Sequence, residues 1–294
     1  MAGQIDDHII AIIGGRGTGK GHYITTLVNR LEQEVGMQFN FALSMQGDET
    51  RKRFEDDYYG PLFRRKRLLQ PTQSASIESS TKSPMVFRLK LQRNAVNLSF
   101  FDSAGEDMQS LDVMSTEARY ICFAGGIIFL LDPLQIEAVR QQLPEDILPP
   151  RDPSAEPFYI VQRLRELYER QFRLRPTDPV KTPVGFVLSK VDALLPIIDS
   201  GSALRRTGEH FGSFNRADAQ SVHTEIWNYL QSWEGGRLTN FIKANFSRYH
   251  YFGISSLGRP PSGIDKLETV SPIRVEDPFL WILHQLNLVK GMKG

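Results

Sequence analysis

Gly14-Gly15-Arg16-Gly17-Thr18-Gly19-Lys20 follows directly on the isoleucine-rich stretch His8–Ile13. The stretch reads as a buried strand, and the residues after Lys20 open a helix. From Gly19 to Glu34, the apolar or aromatic Tyr23, Leu27, Val28 and Leu31 recur at helical spacing. A phosphate chain needs backbone N–H groups that close around it, and glycines permit that turn. The helix N-terminus adds a favourable dipole and unpaired donors. Gly14, Gly15, Arg16, Gly17, Thr18, Gly19, Lys20 and Gly21 are therefore the candidate phosphate-binding residues, with Lys20 placed for the β- and γ-phosphates. One position departs from the pattern: Gly21 stands where a serine or threonine hydroxyl ordinarily ligates Mg²⁺. Either Thr25 or Thr26 substitutes, or the ion is held by fewer protein groups. Both threonines sit a turn or more into the helix, which favours the second option.

Outward from this loop, strand-like and helix-like runs alternate, the pattern of a mostly parallel central sheet flanked by helices. Met85–Leu91 and Val96–Phe101 predict two strands joined in a hairpin around Arg93-Asn94. Gly126–Leu131 predicts an apolar central strand, and Val184–Leu188 and Tyr249–Ile254 two more. Pro157–Phe172, Ala217–Trp233 and Pro278–Val289 read as helices, the last anchored by Trp281 and Leu283. The expected class is α/β, with inserted loops and helices around the central sheet. One elaborated domain over residues 1–294 is expected, with insertions near 45–70, 140–155 and 193–215. A small second domain over 193–248 is the alternative.

Three further strand ends carry candidate chemistry. Asp102-Ser103-Ala104-Gly105-Glu106-Asp107 closes an apolar strand; Asp102 suits a water-mediated Mg²⁺ contact, and Gly105 can offer its N–H to a γ-phosphate. Ser189-Lys190-Val191-Asp192 closes another. The Asp192 carboxylate can accept from N1–H and the amino group of guanine, and adenine has no donor at N1. The stem of Lys190 can lie over the base. The same four residues also make an ordinary helix start with an acid near the dipole. Ser255-Ser256-Leu257 follows Tyr249–Ile254, where backbone N–H groups could meet guanine O6. Each motif falls at the C-terminal end of a strand, where open α/β sheets bind ligands.

Composition narrows the class. The 294 residues carry 35 basic and 34 acidic side chains, a net charge of +1, which argues against nucleic acid as a partner. Cys122 is the sole cysteine, so no intramolecular disulfide or multi-cysteine zinc site can form, and the six histidines lack metal-ligand spacing. The longest apolar run, Ile121–Leu131, is half of a membrane span, and acidic Asp6 and Asp7 precede the first strand. A soluble, cytoplasmic protein is expected. The basic clusters Arg51-Lys52-Arg53 and Arg64-Arg65-Lys66-Arg67 read first as a solvated helix, second as a partner or RNA contact. Asp132, followed by Pro133-Leu134, reads as a structural loop or a switch contact.

The order and spacing of the four motifs resemble the Ras-like, translation-factor-related P-loop GTPases. DYYGPLF at 57–63, LQPT at 69–72, FDSAGED at 101–107, IIFLLDPLQ at 127–135 and VEDPFLWIL at 275–283 resemble, more narrowly, a bacterial double-GTPase family. The resemblance implies GTP/GDP and Mg²⁺ as ligands. It also implies a role in paired-GTPase conflict or defence systems, with a second GTPase or GTPase-activating-like protein as partner and dimerisation through the nucleotide face. By position, Thr72 is the switch threonine that senses Mg²⁺ and the γ-phosphate, with Thr81 as competitor. Glu106 stands where many relatives place a water-orienting glutamine, so intrinsic hydrolysis should be slow. Ser189 replaces the usual Asn or Thr, which puts loop bracing in question. The catalytic set implied is Lys20, Thr72 and Glu106, with Arg16 as a further charge. A GTP-hydrolysing switch is the first reading. Gly21 and Glu106 motivate a second, a non-hydrolysing nucleotide-binding scaffold. A P-loop kinase would leave Ser189–Asp192 and Ser255–Leu257 without purpose.

Overall fold

The computed structural model describes residues 6–70, 84–91, 94–100, 120–261 and 267–292. Among these residues seven strands form one sheet: β1 (Asp6–Gly14), β2 (Phe41–Met45), β3 (Met85–Leu91), β4 (Asn94–Phe100), β5 (Gly126–Leu131), β6 (Val184–Leu188) and β7 (Tyr249–Gly253). Their order across the sheet is β2-β3-β4-β1-β5-β6-β7. The β4-β1-β5-β6-β7 portion is parallel, while β2–β3 and β3–β4 pair antiparallel. β3 and β4 pair as a hairpin, as their alternating sequence predicts, but Asn94 belongs to β4 opposite Leu91 and not to the turn.

The parallel strands are uninterruptedly apolar because both of their faces are covered. Ile10, Ile12, Ile128 and Leu130 point to one face and Ala11, Ile13, Ile127, Phe129 and Leu131 to the other. On the first face lie α1 (Lys20–Glu32), through Tyr23, Ile24, Leu27, Val28 and Leu31, and the final helix α7 (Asp277–Gln285), through Phe279–Leu283. On the second lie α4 (Pro157–Phe172), α5 (Arg216–Glu234) and α6 (Arg237–Asn245), through Ile160, Leu164, Val222, Ile226, Leu238 and Ile242. On the first face Trp281 and Leu283 are buried, as expected of core anchors.

Three local features depart from the sequence reading. β2 is an edge strand whose residues alternate between half-buried and exposed, so it lacks the buried run that identifies a strand. Its pairing with β3, Met45 opposite Phe87, is what makes it one. The insertion after it is helical: α2 (Glu34–Phe39) precedes β2, and α3 (Asp48–Arg53) leads into a π-helix over Phe54–Arg64. Pro61 lacks an N–H for a regular ladder, and a Cβ on Gly60 would stand 2.6 Å from the Glu55 carbonyl oxygen. α7 stops four residues earlier than its apolar pattern, because Asn287 turns left-handed (φ 59°) and Leu288 N–H bonds back to Leu283 O at 2.8 Å.

The 193–215 stretch is held by a buried charge network. Arg274, fully buried, donates to Asp277 Oδ2 at 2.7 Å, to Asp218, and to the Ala203 and Arg206 carbonyls at 3.2 Å each. His210 accepts the Asn215 N–H at Nδ1 (3.1 Å), so its Nε2–H donates to Asp277 Oδ1 (2.9 Å). No helix among the described residues is long and apolar enough to cross a membrane.

Candidate functional site

β1 ends at Gly14, and the chain turns through Gly15–Thr18 before α1 begins at Lys20. Two kinds of glycine build this turn. Gly17 and Gly19 adopt φ of 72° and 86° with open space around them, so the demand there is conformational. At Gly14 and Gly15 the demand is steric. A Cβ on Gly14 would stand 2.6 Å from the Leu130 carbonyl oxygen, and one on Gly15 2.8 Å from Ile160 Cδ1 and 3.4 Å from Ala155 Cβ. The Thr18 hydroxyl donates to Gly15 O at 2.9 Å and fixes the bend.

Lys20 is only 6% exposed, and its ammonium donates to the carbonyls of Gly14 (3.1 Å) and Gly15 (3.2 Å). The first bond of the α1 ladder runs from Tyr23 N–H to Gly19 O at 2.9 Å, so the N–H groups of Lys20, Gly21 and His22 precede it. A buried cation, a helix N-terminus and an open glycine turn on one strand end can receive an anion. Arg16 lies exposed in the same turn.

The donor set for Mg²⁺ does not fit among the described residues. Gly21 carries no hydroxyl, the Thr25 hydroxyl donates to Gly21 O (2.7 Å), and that of Thr26 donates to His22 O (2.9 Å). Both threonines are fully buried, so neither substitutes for the missing ligand. Among the described residues no group of three His, Cys, Asp or Glu side chains could hold a metal. Thr72, Thr81, Asp102, Gly105 and Glu106 lie outside the described residues.

Two strands away, β6 ends at Leu188. Ser189 does brace its loop, since its N–H and its hydroxyl both donate to Leu131 O, at 2.9 and 3.1 Å. Lys190 turns left-handed (φ 55°) to start a one-turn helix, Val191–Leu194, with Asp192 in that turn. The local helix-start reading of Asp192 therefore holds as geometry, with the acid in the first turn and no side chain capping it, but the residue does more than sit near the dipole. It is 8% exposed and hydrogen-bonded to the hydroxyl of Ser255, which is fully buried at the end of neighbouring β7. Burial raises the Asp192 carboxyl from its ordinary value, opposed by the Ser255 hydrogen bond and the Lys190 charge. Ser255 Oγ also accepts the Gly258 N–H at 2.7 Å, tightening the turn that carries Ser256 and Leu257. Val191 N–H donates to Ile254 O at 3.0 Å and ties the two strand ends together. A pre-set carboxylate beside a serine turn can accept paired donors from a planar ligand.

Two residues here were not singled out for this geometry in the sequence. Lys190 Nζ donates to Asp132 Oδ2 at 2.7 Å, and Asp132, at 1% exposure, ends β5 between the two sites. His22 Nε2 accepts the Leu69 N–H at 3.2 Å; burial and the nearby Lys190 charge lower its pKa to about 4. Nothing local in sequence marks His22, because its partner stands 47 positions away. The 140–155 stretch also belongs to the site's frame. Gln135 accepts the Asp152 N–H at 2.9 Å, and Arg140 donates to the Leu134 and Pro149 carbonyls, which sets Ala155 under Gly15.

A sequence profile described as Double-GTPase 2 matches residues 8–235, a span that includes the glycine turn, Asp132 and Asp192. A protein of Mycolicibacterium smegmatis provisionally named as an ESX-1 scaffolding and assembly protein, SaeC, is 28% identical over 296 residues. That alignment covers 93% of this chain and 73% of the relative. With the profile extending over most of its length, the chain belongs to the Double-GTPase 2 family.

Proposed function

We propose that this chain is a GTP-binding switch that hydrolyses GTP to GDP and phosphate slowly by itself and works with a partner. We read it as a single Ras-like P-loop GTPase domain acting in the cytoplasm. The observation that carries the proposal is the pairing of buried Lys20, at the end of β1, with the Asp192–Ser255 couple at the ends of β6 and β7. The first provides for phosphates, the second for a base with donors at N1 and the 2-amino group.

In this reading the N–H groups from Gly14 to Gly21, with Gly105, surround the phosphate chain, and Lys20 exchanges its carbonyl partners for β- and γ-phosphate oxygens. Asp192 accepts from guanine, the backbone of Ser255, Ser256 and Leu257 faces O6, Ser189 braces the loop, and the Lys190 stem lies along the base. Thr72 senses the γ-phosphate and Glu106 acts on the attacking water. Mg²⁺ coordination falls to Asp102, through water, and to Thr72. Phosphoryl transfer to water depends on positioning and charge stabilisation. Lys20 supplies one cation and exposed Arg16 stands in the same turn; further charge comes from the partner, a second GTPase or GTPase-activating-like protein. The resemblance to paired-GTPase conflict systems supports such a partner, and the scaffolding and assembly named for the M. smegmatis relative supports a partner in general.

The second reading is a scaffold that binds nucleotide without turnover. The engaged hydroxyls of Thr25 and Thr26 behind Gly21 favour it, as does the relative's name. Turnover of the purified chain with GTP and with ATP, each with Mg²⁺, alone and with its neighbouring gene products, separates the two. GTP-selective turnover is the expected result. Tight GTP binding with no turnover under any condition establishes the scaffold, and equal handling of ATP overturns the guanine assignment.

A further inference from the structure

We propose that Asp132 is a positioning residue for base recognition, acting through Lys190. The inference rests on the guanine-site reading above and adds a residue to it. Asp132 sits at the end of β5, between the strand that carries the glycine turn and the strand that carries Ser189–Asp192. Its two carboxylate oxygens have different duties. Oδ1 accepts the Leu134 N–H at 3.0 Å and caps the 3-10 turn Pro133–Gln135, while Oδ2 accepts from Lys190 Nζ at 2.7 Å. The first duty is that of any N-cap, which asparagine performs as well as aspartate. The second needs the charge.

Lys190 is held at both ends. Its backbone is committed to a left-handed turn at φ 55°, and its ammonium is drawn back across the gap between β6 and β5 to a carboxylate at 2% side-chain exposure. The stem between is 29% exposed with its amine, beside Asp192. A lysine free at its tip would sample many rotamers and lose them on binding; one tethered at its tip presents its methylenes as a preformed shelf for a planar base. Lys190 also opposes the burial that raises the Asp192 carboxyl, so the tether keeps a positive charge where it favours the ionised, guanine-accepting form.

The same 132–135 segment supports the phosphate side by another route. Gln135 donates to Pro150 O at 3.3 Å and accepts from Asp152 N–H, which leads to Ala155 beneath Gly15. A general loosening of this segment would therefore weaken phosphate and base contacts alike, whereas loss of the Asp132–Lys190 tether acts on the base alone. That difference is measurable.

The test uses the full chain and the variants Asp132→Asn, Lys190→Met and both together. GDP, GTP and inorganic tripolyphosphate are titrated by calorimetry, and thermal midpoints are recorded. Asp132→Asn keeps the cap to Leu134 and removes the charge facing Lys190. It is expected to weaken GDP and GTP binding about tenfold, to leave tripolyphosphate affinity unchanged, and to keep the thermal midpoint. In the Lys190→Met background, Asp132→Asn should have no further effect on GDP binding. An Asp132→Asn variant that binds GDP like the wild type overturns the inference and leaves the guanine reading standing. Equal loss for GDP and tripolyphosphate, or an undiminished effect in the Lys190→Met background, also overturns it by showing that Asp132 does not act on the base through Lys190. Absence of guanine-nucleotide binding by the wild-type chain overturns both readings.

Discussion

Lys20 and Asp192 separate the two halves of the proposed site, and each can be tested singly. Lys20 is buried and shared between two loop carbonyls, so its removal costs those bonds as well as the phosphate contact. Lys20→Ala should abolish measurable GTP binding by calorimetry while lowering stability by only about 1–2 kcal/mol, the scale of lost hydrogen bonds from a charged group. Unchanged GTP affinity would end the phosphate-loop assignment. Asp192→Asn replaces one acceptor by an NH₂ donor facing guanine's amino group, where xanthine offers a carbonyl oxygen. GTP affinity should fall by about 3 kcal/mol, on the scale of a buried polar group left unpaired, with relative preference moving to xanthosine triphosphate. Competition among GTP, ATP and xanthosine triphosphate reads this out. A variant that keeps its GTP preference makes Asp192 a helix-start residue only.

At the scale of elements, the contact between α5 and β7 holds two histidines neutral. His223 Nδ1 accepts the Tyr251 N–H at 3.1 Å, and the His250 ring, 4.4 Å away centre to centre, donates through Nε2 to Ala219 O at 3.0 Å. Burial, with the neighbouring His223, lowers His250 to about 4, and burial lowers His223 as well. The native chain thus refuses protons that the unfolded chain takes up below pH 6.5. Stability from this contact is complete above pH 6.5 and is lost as pH falls from 6.5 to about 4. For His250 the loss reaches about 3 kcal/mol. His22, lowered to about 4 beside Leu69 and Lys190, adds a loss in the same window and places it at the candidate site. Urea midpoints measured between pH 7.5 and 4 should fall steadily. His250→Phe, packing among Phe252 and Trp281, should flatten that slope. An equally steep slope in the variant would assign the acid sensitivity elsewhere.

Across the whole molecule, Arg274 joins the 203–206 stretch, α5 and α7 at the end of α1 remote from Lys20. Arg30, late in α1, pairs with Glu276 at 2.7 Å beside it. The left-handed backbone of Arg274 (φ 54°) is a strained state for arginine, held by four side-chain hydrogen bonds, two of them ion pairs. Arg274→Met leaves Asp277 and Asp218 without their cation, a change on the scale of 3–5 kcal/mol. Denaturant unfolding should register that loss. GTP affinity of the remaining folded protein should stay within about threefold of wild type. A stability change under about 1 kcal/mol would mean that the two carboxylates find other partners or protonate.

The alternation of strands and helices, the glycine turn and the order of the strand-end motifs are legible in the residue order alone. Periodic burial and a contiguous glycine-rich turn are local properties, and Gly126–Leu131 and Pro157–Phe172 are legible to the residue. Ser189–Asp192 and Ser255–Leu257 were readable as strand-end residues, but not as a couple, because a motif names residues without naming neighbours. Only the tertiary structure joined Asp192 to Ser255, Lys190 to Asp132, and Arg274 to Asp218 and Asp277. The same holds for the β2 edge, whose half-buried residues become a strand only against β3. The physical reason is common to all of these. Burial leaves a period in the sequence, whereas the partner of a buried charge or an edge strand is chosen by which strand ends lie side by side in the sheet, and that order leaves no local trace.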